Sequence, residues 1–151
     1  METQASGGGT VTGDTALREI MRTEVISVQV DTKASLVDIL MQHHPIHHLP
    51  VLEGRVLRGI ISQTDLYRNM LSLFYIEDEA EQHEFLDNFL DVPSMMTPEP
   101  MTLAPEATVR EALDLMVEQR VSAVPVVNPR NELVGIVTDH DMLCLMREAL
   151  A

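Results

Sequence analysis

The chain has 151 residues, 45% of them apolar, which is enough to bury the core of one compact domain or of two small ones sharing a core. Ten Lys and Arg face 24 Asp and Glu, a formal net charge of −14 with Lys33 the one lysine, and this excludes nucleic acid phosphates and anionic membrane surfaces as partners. Cys144 is the one cysteine, so neither an intrachain disulfide nor a cysteine-based zinc knuckle is available, and its place in "DMLCLM" predicts a buried, inert thiol.

In chain order, residues 1–14 are glycine-rich and predict a flexible arm. They show neither the basic start nor the apolar core of a secretion signal, and no apolar run reaches the roughly 20 residues of a membrane crossing, so a soluble cytoplasmic chain is expected. Residues 15–75 read as a short extended segment, an amphipathic helix, strands "HLPVL" and "RVLRGIIS" around the turn "EGR", and a closing helix. Residues 76–92 form an acidic insert carrying Glu77, Asp78, Glu79, Glu81, Glu84, Asp87 and Asp91 without Lys or Arg. Phe85, Leu86, Phe89 and Leu90 fall there at helical spacing, which predicts a helix that either packs on its own domain or docks a basic partner. Residues 93–151 repeat the first pattern, with strands "SAVPVV" and "ELVGIVT" around "NPRN".

The repeat needs no gap over its first part. At an offset of 75, Met96 lies on Met21, Glu99 on Glu24, Met116 on Met41, Pro125 on Pro50 and Val126 on Val51. One extra residue in the second turn makes the offset 76, which brings Gly135 onto Gly59 and Asp141 onto Asp65. In the second copy Val109, Ala112, Leu113, Met116 and Val117 follow helical spacing, and Thr108 with Glu111 forms the pattern of a capping box. The fold class expected is therefore α+β, two tandem β-α-β-β-α units. Each unit is too small for a core of its own, so the two should pack through their sheets.

Two motifs bear chemistry. "SQTD" (Ser62 to Asp65) and "TDHD" (Thr138 to Asp141) each open a helix, where N–H groups and the helix dipole favour phosphate oxygens. An ionised Asp only accepts hydrogen bonds and a ribose diol donates two, so Asp65 and Asp141 suit a ribose. The same spacing also makes a capping box that needs no ligand. The histidines of "QHHPIHHLP" invite a metal, but Pro45 keeps His43 and His47 off one helical face, and no Cys or acid lies within the cluster, so no metal site is expected.

"HHLPVLEGRVLRGIISQTDL" and "VSAVPVVNPRNELVGIVTDHDM" resemble the CBS domain family, and their duplication resembles the paired arrangement called a Bateman module, over roughly residues 17–149. The resemblance implies two units packed through their sheets with pseudo-twofold symmetry, leaving two clefts where adenosine-type ligands bind. It also implies a regulatory rather than catalytic role, a homodimer and a regulated protein partner. In the first cleft it places Ser62, Thr64 and Asp65 on ribose and phosphate, and Ile26, Ile46, His47, His48 and Pro50 about the base. In the second, Thr138, His140 and Asp141 take the first role, and Met101, Val121, Ser122, Ala123 and Pro125 the second.

Where the family often has a basic residue before the motif Asp, this chain has Thr64 and His140. Arg22, Arg58 and Arg130 are the candidates to replace that charge. An acidic chain holds a triphosphate poorly without a metal ion, which ranks AMP or ADP ahead of ATP or S-adenosylmethionine. No nucleophile, base and orienting group share a convergent spacing, and no phosphate loop occurs, so neither enzyme activity nor a catalytic cofactor is expected. The competing expectation is a ligand-independent interaction module in which Asp65 and Asp141 serve only as helix caps.

Overall fold

The computed structural model describes residues 9–73 and 75–151. The chain forms two compact units, one of Ile26–Pro100 and one of the segment through Val25 together with Met101–Ala151. The unit boundaries therefore cut across the sequence repeat, because the leading segment of each copy pairs with the hairpin of the other.

In the unit Ile26–Pro100, strand β1 (Val28–Gln29) leads to helix α1 (Ala34–His43), the hairpin β2 (His48–Glu53) and β3 (Val56–Ser62), and helix α2 (Gln63–Met70). A 3-10 turn at Leu71–Leu73 is followed by α3 (Glu79–Phe89), the single turn α4 (Val92–Met95) and β4 (Thr97–Pro98). The sheet order is β1-β2-β3-β4, with β1 parallel to β2 and the other pairs antiparallel. Val28, Val37, Met41, Leu49, Val51, Ile61, Leu66 and Leu86 form its core.

The other unit has a 3-10 turn at Leu17–Glu19, then α5 (Val109–Gln119), the hairpin β5 (Ala123–Val127) and β6 (Leu133–Thr138), and α6 (Asp139–Ala149). Leu17, Val109, Ala112, Met116, Val124, Val126, Val137 and Met142 form its core. The α+β class and the expected order of helix, hairpin and helix are found in both copies.

The repeat extends to the register. Val28 pairs parallel with Val51, and Leu103 bridges Val126 in the same sense; Thr97 pairs antiparallel with Ile60, and Arg22 bridges Ile136 likewise. Both hairpins carry a register shift at the equivalent place, Val51/Leu52 and Val126/Val127. Of the arm expected over 1–14, residues 1–8 lie outside the described residues. Beyond them Val11 packs on the core of its unit, and the Gly13 carbonyl accepts the Arg110 N–H at 2.9 Å.

The two leading helices differ in how their first turns are satisfied. On α5, Thr108 Oγ1 accepts the Glu111 N–H at 3.2 Å while Glu111 Oε2 accepts the Thr108 N–H at 2.7 Å, the reciprocal box that the sequence predicts. Copy one has Lys33 and Leu36 at those positions and no side-chain cap of its own. Asp87 of α3 supplies the cap instead, its two carboxylate oxygens accepting the Ser35 N–H and the Ser35 hydroxyl, each at 2.9 Å. Buried Asp38 strengthens the junction by accepting from His83 Nε2 at 3.1 Å and from Gln42 Nε2 at 2.8 Å.

The acidic insert is thus a helix packed on α1, with Leu86 buried and Phe85 and Leu90 partly buried. Asp87→Ala is expected to lower the unfolding free energy by about 1–2 kcal/mol, the usual worth of an N-terminal cap, as read by urea denaturation. At the next turn Asp91 caps α4, and the Ser94 N–H it accepts at 2.8 Å holds its carboxyl below the ordinary value. That cap is fully present above the ordinary carboxylate range and is lost as pH falls through the lowered value.

Candidate functional site

In the unit Ile26–Pro100 the site starts where β3 turns into α2. Ser62 keeps extended backbone as the N-cap, and its Oγ accepts the Asp65 N–H at 3.0 Å while Asp65 Oδ2 accepts the Ser62 N–H at 2.9 Å. The Gln63 N–H donates to the His47 carbonyl at 2.8 Å, and His48 sits opposite Ser62 in the hairpin. His47, exposed, donates from Nδ1 to Gln63 Oε1 at 2.9 Å. Gln63 is a member of this cluster that sequence reasoning missed, though its place directly after the cap residue was a usable signal.

The strand before Pro50 and the start of α2 therefore meet, bringing His47, His48, Ser62 and Asp65 together. Thr64 is exposed on the first turn, Pro50 is buried opposite Ile60, and Ile26 and Ile46 are partly buried against the core. His43 and His44 stand exposed at the end of α1, apart from the strand that carries His48. Among the described residues no group of three or more His, Cys, Asp and Glu is placed to hold a metal ion.

The second copy repeats the frame: Ala123 lies opposite Thr138, and the Asp139 N–H donates to the Ser122 carbonyl at 2.9 Å. Pro125 is buried opposite Ile136, Val121 is partly buried against the core, and Met101 is exposed. Here the first turn of α6 is satisfied by its own residues. The His140 N–H is taken by Asp139 Oδ1 at 2.8 Å and the Asp141 N–H by Thr138 Oγ1 at 3.4 Å. Cys144 is half-buried rather than buried, with Sγ 3.7 Å from His140 Nε2, because α6 leaves that face partly open.

Asp141 and Asp65 differ in how many of their acceptor positions are filled. Asp141 Oδ2 accepts from the Thr138 N–H at 2.9 Å and the Thr138 hydroxyl at 3.0 Å. Its Oδ1 accepts from Arg22 Nε at 3.2 Å and Arg22 Nη2 at 3.1 Å. A carboxylate has about four lone-pair sites, so these four donors fill it. On Asp65, among the described residues, no hydrogen bond reaches Oδ1. The other two arginines considered for phosphate are also engaged with carboxylates, Arg58 with Glu53 at 2.7 Å and Arg130 with Glu132 at 4.0 Å.

Comparison with known proteins agrees with this frame. The CBS domain family model matches residues 17–72 and 91–148. A CBS domain-containing protein of Dictyostelium discoideum is 30% identical over 135 residues, covering 89% of this chain and 92% of its own. Inosine-5'-monophosphate dehydrogenase of Korarchaeum cryptofilum is 34% identical over 119 residues; the match spans 79% of this chain but only 22% of that enzyme. Among solved structures, the CBS domain pair of protein MJ0100, in complex with 5'-methylthioadenosine and S-adenosyl-L-methionine, superposes with a TM-score of 0.71 at 25% identity, covering 89% of this chain and 98% of that one. Among the described residues no helix is long and apolar enough to cross a membrane.

Proposed function

The chain belongs to the CBS domain family, and from that premise we propose that it is a regulatory module binding an adenosine-containing ligand, with the ribose diol on Asp65 or Asp141 and the base along the strand running into Pro50 or Pro125. The observation that carries this reading is the hairpin register. His48 lies across from Ser62 and Ala123 across from Thr138, so a strand edge for the base and a carboxylate for the ribose meet at one end of each unit. The adenosine ligands of the MJ0100 pair support the same ligand class.

A net charge of −14, with Arg58 and Arg130 already on carboxylates, favours a ligand with few phosphates, AMP or ADP ahead of ATP. Occupancy would shift a conformational equilibrium by the ligand's differential affinity for two states and reach a regulated protein. Leu143 and Met146, exposed three residues apart on α6, offer an apolar stripe for a homodimer.

The test is a thermal-shift series with AMP, ADP, ATP, 5'-methylthioadenosine and S-adenosylmethionine, repeated on Asp65→Ala and Asp141→Ala. A ligand at 100 times its Kd adds about 2.7 kcal/mol of stability, and removing the working Asp should abolish that gain. No stabilisation by any of the five would make the chain a ligand-independent interaction module, with both Asp residues acting only as caps.

A further inference from the structure

We infer that Arg22 makes the two adenosine sites chemically different: the Asp141 site admits a phosphorylated adenosine and refuses an uncharged one, whereas the Asp65 site takes the uncharged nucleoside. The inference rests on the ligand class proposed above and assigns each site its own preference. All four acceptor positions of Asp141 are filled, two of them by the Arg22 guanidinium, so a ribose diol reaches this carboxylate only when Arg22 leaves.

What Arg22 gains on leaving then decides which ligands enter. An uncharged nucleoside offers the guanidinium no anion, and the carboxylate exchanges a charge-assisted pair for two neutral donors, a loss. A 5'-phosphate offers the same planar fork a second oxyanion, so the arginine passes from carboxylate to phosphate while the diol takes its place on Asp141. The helix start cannot substitute for it. The first three N–H groups of α6 are already given to the Ser122 carbonyl, Asp139 Oδ1 and Thr138 Oγ1.

In the other copy the residue equivalent to Arg22 is Thr97, and Asp65 Oδ1 receives no hydrogen bond among the described residues. The diol needs no displacement there, and Thr97 supplies no guanidinium for a phosphate. One position at which the two copies differ, Arg in one and Thr in the other, thus sets two ligand preferences within one chain.

The experiment isolates the α6 site in an Asp65→Asn protein and titrates it by calorimetry with AMP and with 5'-methylthioadenosine. AMP should bind and the uncharged nucleoside should not. Adding Arg22→Thr should tighten 5'-methylthioadenosine and weaken AMP, each by about tenfold. Arg22→Gln is the second variant should the threonine perturb folding, with melting curves as the control. An AMP to methylthioadenosine ratio left unchanged by both Arg22 variants overturns the role of Arg22 and leaves adenosine binding standing. No binding of either ligand to the wild-type protein instead overturns the adenosine reading itself, and this inference with it.

Discussion

Leu86→Ala should lower the unfolding free energy by about 2–5 kcal/mol, the range for a fully buried leucine whose removal leaves a cavity. Leu86 is 0% exposed and belongs to the core that Val37, Met41 and Leu66 share, although it arrives from the most acidic stretch of the chain. Its flanking residues Phe85 and Leu90 are only partly buried, so they can relax into some of the void and draw the cost toward the middle of that range. Phe89, on the same helix but 71% exposed, is the internal contrast: it loses only its ring contact with Phe85, 4.5 Å between centroids, and Phe89→Ala should cost about 0.5–1.5 kcal/mol. Urea denaturation with an unchanged m-value reads both. A Leu86→Ala protein as stable as wild type would mean that α3 does not dock on α1, and would return the insert to the role of an acidic surface offered to a basic partner.

The repeat made most of the fold legible. Apolar spacing at Val109, Ala112 and Met116 marked the face of α5 that is buried, and the apolar run "RVLRGIIS" after the turn "EGR" marked β3, in which Leu57, Gly59 and Ile61 are buried and Arg58 is exposed. The same spacing includes Leu113 and Val117. They complete the helical pattern yet are exposed, Leu113 to 38% and Val117 to 74%, since periodicity reports a face and not what covers it. In copy one the position of Leu113 is held by Asp38, which is buried and accepts from His83 of α3, a contact between residues 45 apart in sequence that no local pattern carries.

The site was legible in its frame and hidden in its charge balance. The caps at Ser62 and Thr138 follow from short-range spacing, so they were readable. The Arg22 to Asp141 pair spans 119 residues and depends on the leading segment of one copy lying along the hairpin of the other. The one trace of it in the sequence was the mismatch of Arg22 with Thr97 in an otherwise close alignment.

Gly135→Ala should both destabilise the protein and move its ligand preference, because this glycine is what lets Arg22 lie against β6. Arg22 and Ile136 exchange backbone hydrogen bonds at 3.1 and 3.0 Å, and a Cβ on Gly135 would lie 3.0 Å from the Arg22 carbonyl oxygen and 2.8 Å from Met21 Cγ. Met21 packs partly buried on the core, so it cannot simply swing away, and the strand must give; such overpacking costs about 1–3 kcal/mol. A backbone that moves off β6 carries the guanidinium away from Asp141, so the variant should bind uncharged nucleoside better and AMP worse, the direction expected for Arg22→Thr. Gly59→Ala supplies the matched control. Its Cβ would lie 2.9 Å from the Thr97 carbonyl oxygen, a crowding at least as severe, but the displaced segment carries a threonine and no cation. Melting temperatures should fall in both variants while the ligand ratio of the Asp141 site changes in Gly135→Ala alone. If both alter that ratio equally, the effect belongs to general loosening of the sheet edge and not to the arginine it positions.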